Sequence, residues 1–298
     1  MKIIFTTVVR AAKLGQVHGG LFVVDYPSKN LIFESTCDED FSGDNERGGE
    51  RGLRGIAFGD GCVYVAGSNS IQILGADKFD TLATKYHDEF DSIHEICYHD
   101  DYLWVTSTGN DCVVKLDKAL NIVDVWHITG KQHENHHTIS GKTIVNSSTD
   151  LKDRLHINSI SAHNDRVVFA GCMTPLYDFD TLQEIQGLQV GGFTHNFEEF
   201  PDMVISNKTH AKHLEVITPY DRIFYPIPSY RGHIKYVSDK IAEPNWIRGM
   251  VRHENLIFIG SSPARILVFD LDKRSFIDEL NFSDDPRHCI HGIGLLGV

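Results

Sequence analysis

The chain has no run of 18 apolar residues, and its first apolar stretch, Ile3 to Val9, is interrupted by Thr6 and Thr7 and lacks a cleavage-site pattern. This excludes a helical membrane span and reads as a cytoplasmic, unprocessed chain. The six cysteines (Cys37, Cys62, Cys97, Cys112, Cys172 and Cys289) form no CxxC pair. Neither a disulfide framework nor a zinc knuckle is expected from such spacing. Positive charge is scarce: 28 Lys plus Arg stand against 41 Asp plus Glu, a formal net charge of −13, and no basic patch offsets it. A surface of that sign repels phosphate backbones and anionic lipid, so neither nucleic acid nor membrane is expected as a partner. Helical periodicity is nearly absent, as are a GxSxG elbow and a strand-to-helix glycine loop. Serine nucleophile chemistry and dinucleotide binding therefore have no support.

What the sequence does contain is a succession of short runs rich in Val, Ile, Phe and Tyr between Gly, Asp and Asn clusters, the pattern of an all-β protein. One unit recurs. RGIAFGDGCVYVAG (54 to 67) aligns with HEICYHDDYLWVTS (94 to 107), NSISAHNDRVVFAG (158 to 171), HNFEEFPDMVISN (195 to 207) and RGMVRHENLIFIGS (248 to 261). A sixth copy is split, with HGIGLL (291 to 296) as a first strand and Ile3 to Thr7, Leu21 to Asp25 and Leu31 to Ser35 as the other three. Uninterrupted copies lie about 40 residues apart, which suits a four-stranded blade. The expectation is a single domain over residues 1–298, a six-bladed β-propeller closed by pairing its N-terminal strands with its C-terminal strand.

In such a ring the connections that lead into the innermost strands share one face. Surplus length falls on them at about 130 to 154, 231 to 245 and 36 to 52, which places a functional site at the channel mouth on that face. The longest of these stretches carries KQHENHH (131 to 137), with His133, His136 and His137, read as a solvated loop.

One register position of the six innermost strands reads Arg54, His94, Asn158, His195, Arg248 and His291, and two residues further on Ile56, Ile96, Ile160, Phe197, Met250 and Ile293. With side chains alternating at period two, both sets are expected on one face, polar above apolar. His94, His195 and His291 then stand in alternating blades about 120° apart, the geometry of a three-histidine metal site with open positions. Iron, zinc, manganese or copper would suit three neutral imidazoles. His156, two residues before Asn158, is a candidate fourth ligand or proton-transfer group. Glu95 is a candidate acceptor fixing an imidazole tautomer. Arg54 and Arg248 present planar forks suited to an anion.

IHEICY (93 to 98), LHINSI (155 to 160), THNFEEF (194 to 200) and IRGMV (247 to 251) resemble, in order and spacing, the strand motifs of an uncharacterised β-propeller family, a domain of unknown function found alone or beside sulfotransferase-type transferases. The resemblance covers the chain from about residue 50 onward. It implies a propeller but no known reaction, and it points to His94, Glu95, His156, Asn158, His195, Asn196, Arg248 and Gly249. His291 and the N-terminal portion match no motif of that family. Six-bladed lactonases and strictosidine-synthase-like enzymes are similar in architecture only, since their sites use carboxylates around calcium, and this ring has none.

The functional expectation is a metal-dependent enzyme of lyase, epimerase or hydrolase type acting on a small anionic metabolite. His94, His195 and His291 would hold a divalent metal, Arg54, Arg248 and Asn196 would bind the substrate, and His156, Asn158 and Glu95 would serve the chemistry. Two alternatives stand beside it: a non-haem iron oxygenase, and a non-catalytic propeller that serves as a ligand- or protein-binding platform.

Overall fold

The computed structural model describes residues 1–39, 48–134, 136–144, 154–163, 165–185, 193–232, 238 and 241–297. The strands follow in chain order: β1 (Lys2–Val9), β2 (Gly19–Asp25) and β3 (Leu31–Cys37); β4 (Ile56–Gly59), β5 (Cys62–Ala66), β6 (Ser70–Gly75) and β7 (Thr81–Tyr86); β8 (Ile93–His99), β9 (Tyr102–Ser107), β10 (Cys112–Leu116), β11 (Ile122–Gln132) and β12 (His137–Ile144). Then come β13 (Ile157–His163), β14 (Arg166–Gly171) and β15 (Tyr177–Asp178); β16 (Thr194–Phe200), β17 (Met203–Lys208), β18 (His213–Ile217) and β19 (Arg222–Pro226); β20 (Ile247–His253), β21 (Leu256–Ser261), β22 (Arg265–Asp270) and β23 (Ser275–Asn281); and β24 (His288–Leu296). They form six antiparallel sheets, and the fold is a six-bladed β-propeller.

The chain divides into two compact units. Residues Met1–Ile56 with Tyr225–Val298 form the first, and Ala57–Phe224 the second. In the first unit the split sheet runs β24-β1-β2-β3, with Lys2 opposite Leu296 and Val9 opposite His288, so the two chain ends share one blade as the repeat pattern predicts.

Each blade translates its sequence directly. Second strands such as RVVFAG of β14 and LIFIGS of β21 are near-continuous apolar runs buried on both faces, whereas fourth strands such as TLATKY of β7 are largely exposed. Packing between blades is aromatic where space allows: in the second unit Phe179, which follows β15, meets edge-on both Trp104 and Trp126 of the preceding blade, which stack on each other with ring centroids 5.6 Å apart.

The surplus at 130 to 154 differs from expectation. Much of it continues β11 and returns as β12, pairing Gln132 with His137 and Trp126 with Ile144, a fifth strand on the outer edge of its blade. An alternating polar strand added to an edge looks like loop sequence because only one face gains cover. The hairpin tip holds His133 and His136 stacked at 4.5 Å, both exposed. Residues 135 and 145–153 of that stretch, 233–237 and 239–240 of the second, and 40–47 of the third lie outside the described residues.

One histidine of the first unit carries a stability prediction. On β24, burial pushes the His288 imidazole down to about 4 from an ordinary 6.5, and its Nε2 is buried with no hydrogen-bond partner among the described residues. As pH falls, the unfolded chain takes up this proton first. Stability is therefore whole above about 6.5 and declines toward pH 4, by at most about 3 kcal/mol at about 1.4 kcal/mol per unit. Urea unfolding at pH 7 and pH 4.5 should show a smaller acid loss in His288→Leu than in wild type. An equal loss in both would refute the assignment.

Candidate metal centre

The innermost strands of the second unit bring three histidines together. His94 on β8, His195 on β16 and His156 just before β13 place one ring nitrogen each within 4.8 Å of the others. Their ring centroids are 5.1 Å (His94 to His156), 5.8 Å (His94 to His195) and 6.2 Å (His156 to His195) apart. Metal to nitrogen bonds of about 2.0 to 2.1 Å would need these nitrogens roughly 3.3 Å apart, so the rings would draw together on a bound ion.

Two of the rings are oriented by neighbours. His94 Nδ1 lies 2.8 Å from the Ser92 carbonyl, which can only accept, so Nδ1 carries the proton and Nε2 the lone pair. His195 Nδ1 lies 2.8 Å from the hydroxyl of the buried Thr209. The Ser92 carbonyl thus fixes for His94 the tautomer with an outward lone pair that a ligating imidazole requires, and a Thr209 hydroxyl that accepts from Nδ1 would give His195 the same form.

A repeated irregularity aims these side chains. Ile96, Ile160 and Phe197 stand at the same rung of their hairpins, opposite Val105, Phe169 and Ser206, and the ladder slips between Ile93 and Ile96, between Ile157 and Ser159, and between His195 and Phe197. In the first unit β20 slips likewise between Arg248 and Met250. The period-two placement of polar and apolar sets on one face therefore does not hold, because each bulge adds a residue: Asn196 and Gly249 fall between the two sets in β16 and β20, and Asn158 of the polar set is itself the added residue of β13. Two inserted residues, Asn196 and Gly249, have positive φ of 61° and 60°. Gly249 has a second reason to be glycine, since a Cβ there would come 2.4 Å from the His291 carbonyl oxygen. Asparagine tolerates the left-handed region, and its amide finds use: Asn196 Nδ2 donates to Glu95 Oε2 at 2.5 Å.

Glu95 thus accepts from Asn196, a cross-strand link between β8 and β16. Burial pushes its carboxyl up to about 8, and burial alone does the same to Glu198 on β16. Sequence reading missed Glu198, which looks like an ordinary outward residue of THNFEEF. Asn158 is buried and donates from Nδ2 to the Thr194 carbonyl at 3.1 Å, tying β13 to β16.

The remaining candidates belong to the first unit. His291 Nε2 lies 2.8 Å from Arg248 Nη1; a guanidinium only donates, so Nε2 is the acceptor. Arg54 donates from Nη2 to the Gly49 carbonyl at 2.8 Å, and its own carbonyl accepts from Thr6 Oγ1.

Among the described residues no helix is long and apolar enough to cross a membrane. No protein-family model matches the chain, and no curated protein matches it. Among solved structures, the nidogen/laminin complex contains a chain similar at a TM-score of 0.61 and 9% identity, over 98% of this chain and 97% of that one. A protein of unknown function from Bacteroides caccae gives 0.58 at 8% identity, over 98% and 97%. At such identities the likeness is one of fold, and that fold is the β-propeller.

Proposed function

We propose that this protein is a metal-dependent enzyme of lyase, epimerase or hydrolase type, acting on a small anionic metabolite, with a divalent transition metal held by His94, His156 and His195. The observation that carries the reading is the convergence of three imidazole nitrogens within 4.8 Å, from three successive blades of one unit. His156 takes the place that the sequence pattern assigns to His291, whose Nε2 is engaged by Arg248. Nitrogen donors favour iron, zinc, manganese or copper over calcium, which prefers oxygen.

Three neutral ligands leave the charge of the metal uncompensated, which favours an anionic oxygen donor from the substrate. Bound there, the metal would act as a Lewis acid on that oxygen or on a water. The protein's part is to orient: Ser92 and Thr209 hold two rings, and Asn196 with Glu95 locks β16 to β8 beside them. Arg54 and Arg248 belong to the other unit, and the proposal places no substrate contact on them.

Elemental mass spectrometry of untagged protein tests this. Wild type should carry about one transition metal per chain or take it up on addition, and a His94→Ala, His195→Ala double variant should lose it. A wild type that stays empty in added divalent metal would overturn the reading in favour of a non-catalytic binding platform.

A further inference from the structure

Two of the three histidines lie within strands, His195 paired with Asn207 on the β16–β17 ladder and His94 in the bulge of β8 with its ring held by the Ser92 carbonyl, whereas His156 lies outside any strand. It precedes β13, with φ of 53°, in the left-handed region that a non-glycine residue occupies only when its surroundings impose it. What holds this segment comes from the previous blade. Asp111 Oδ2 accepts from the Arg154 amide at 2.5 Å and the Leu155 amide at 2.8 Å, and its Oδ1 accepts from the Ile157 amide at 3.3 Å. The three amides bracket His156 on both sides. Thr108 Oγ1 donates to the Ile157 carbonyl at 2.6 Å, and the Cys172 amide to the His156 carbonyl at 2.9 Å. The chain also passes so close to β14 that a Cβ on Gly171 would lie 2.3 Å from the Leu155 carbonyl oxygen.

Asp111 is itself rigid. It is 3% exposed, follows the 3-10 turn Thr108–Asn110, and has φ of 46°. Its amide donates to the Thr108 carbonyl and its carbonyl accepts from the Ile128 amide at 2.8 Å. A buried carboxylate accepting backbone amides makes charge-assisted bonds, stronger than neutral ones.

We infer that Asp111 is the positioning residue of the centre: by clamping the Arg154, Leu155 and Ile157 amides it sets the backbone of His156 and so completes a three-nitrogen rather than a two-nitrogen metal site. The inference rests on the metal reading above. It assigns Asp111 no contact with metal or substrate.

The test is cobalt(II) titration of the full chain followed by its visible spectrum, with thermal melts alongside. Asp111→Gly removes the carboxylate while accepting the left-handed φ, so the turn itself is not strained. Asp111→Asn keeps one acceptor oxygen in the same conformation. His156→Ala supplies the two-nitrogen reference, and Glu279→Gln, which removes the carboxylate paired with the buried Arg265 in the first unit, supplies a variant that is merely destabilised. Asp111→Gly should weaken cobalt binding at least about tenfold and shift its spectrum to that of His156→Ala, in the range usual for supports of metal ligands. Asp111→Asn should fall between it and wild type, and Glu279→Gln should melt earlier with an unchanged spectrum. If Asp111→Gly does not fold, the asparagine variant decides: a wild-type spectrum and affinity there overturn the inference. So does a wild-type response of Asp111→Gly when His156→Ala loses binding. Failure of wild type to bind cobalt at all would instead overturn the metal reading, and the inference with it.

Discussion

Replacing Glu215 by Gln should cost about 3 to 5 kcal/mol of stability, the usual consequence of removing one partner from a buried ion pair. Glu215 on β18 is fully buried and is shared by three donors. Lys208 Nζ lies 3.1 Å from Oε2, Ser206 Oγ donates to the same oxygen at 2.6 Å, and Arg222 Nε donates to Oε1 at 2.6 Å. Lys208 is only 3% exposed, and burial already holds its ammonium below the ordinary lysine range. With glutamine in place of the carboxylate, that buried cation loses its counter-charge. The cluster spans β17, β18 and β19, so the loss weakens three strands of one blade. Chemical denaturation at pH 7 reads the effect. A change under about 1 kcal/mol would show that Lys208 is solvated in the native protein or neutral there, and would sink the account.

Replacing Glu198 by Gln should do the opposite at alkaline pH. Burial raises the Glu198 carboxyl to about 8 from 4.5, so the folded chain holds a proton that the unfolded chain releases. A raised carboxylate stabilises least where both states are ionised. Stability from this group is present below about 4.5 and is lost as pH rises through 8, by up to about 5 kcal/mol at about 1.4 kcal/mol per unit. Residual exposure of the side chain makes that an upper bound. The amide isostere stays neutral, so metal-free Glu198→Gln should match wild type near pH 5 and exceed it by a few kcal/mol at pH 9. Parallel stability curves for the two proteins across that range would refute the prediction. Asn196→Ala is unsuited to the same question, because it would change both a left-handed residue and the partner of Glu95.

Much of this architecture is legible in the sequence. The repeat aligns first strands correctly because apolar content and hairpin length are local properties: Ile96, Ile160, Phe197 and Met250 do share one rung. The split blade is legible for the same reason, since HGIGLL supplies the first strand that the N-terminal segments lack. Two kinds of feature are not. A bulge adds one residue without changing composition, so its effect on where His94 and His195 point cannot be read from period-two alternation. The clamp of Asp111 links residues 43, 44 and 46 positions apart, and nothing in STGNDC distinguishes that aspartate from other turn acids.

By itself, then, the sequence determined the all-β class, the six repeats, the shared terminal blade and the histidine content of the innermost strands, because each follows from side-chain pattern within a few residues. The tertiary structure decided which histidines meet. Convergence of His94, His156 and His195 depends on the bulges, on the left-handed turn at His156 and on hydrogen bonds from a neighbouring blade. These are long-range constraints whose free energy appears only once the strands are packed.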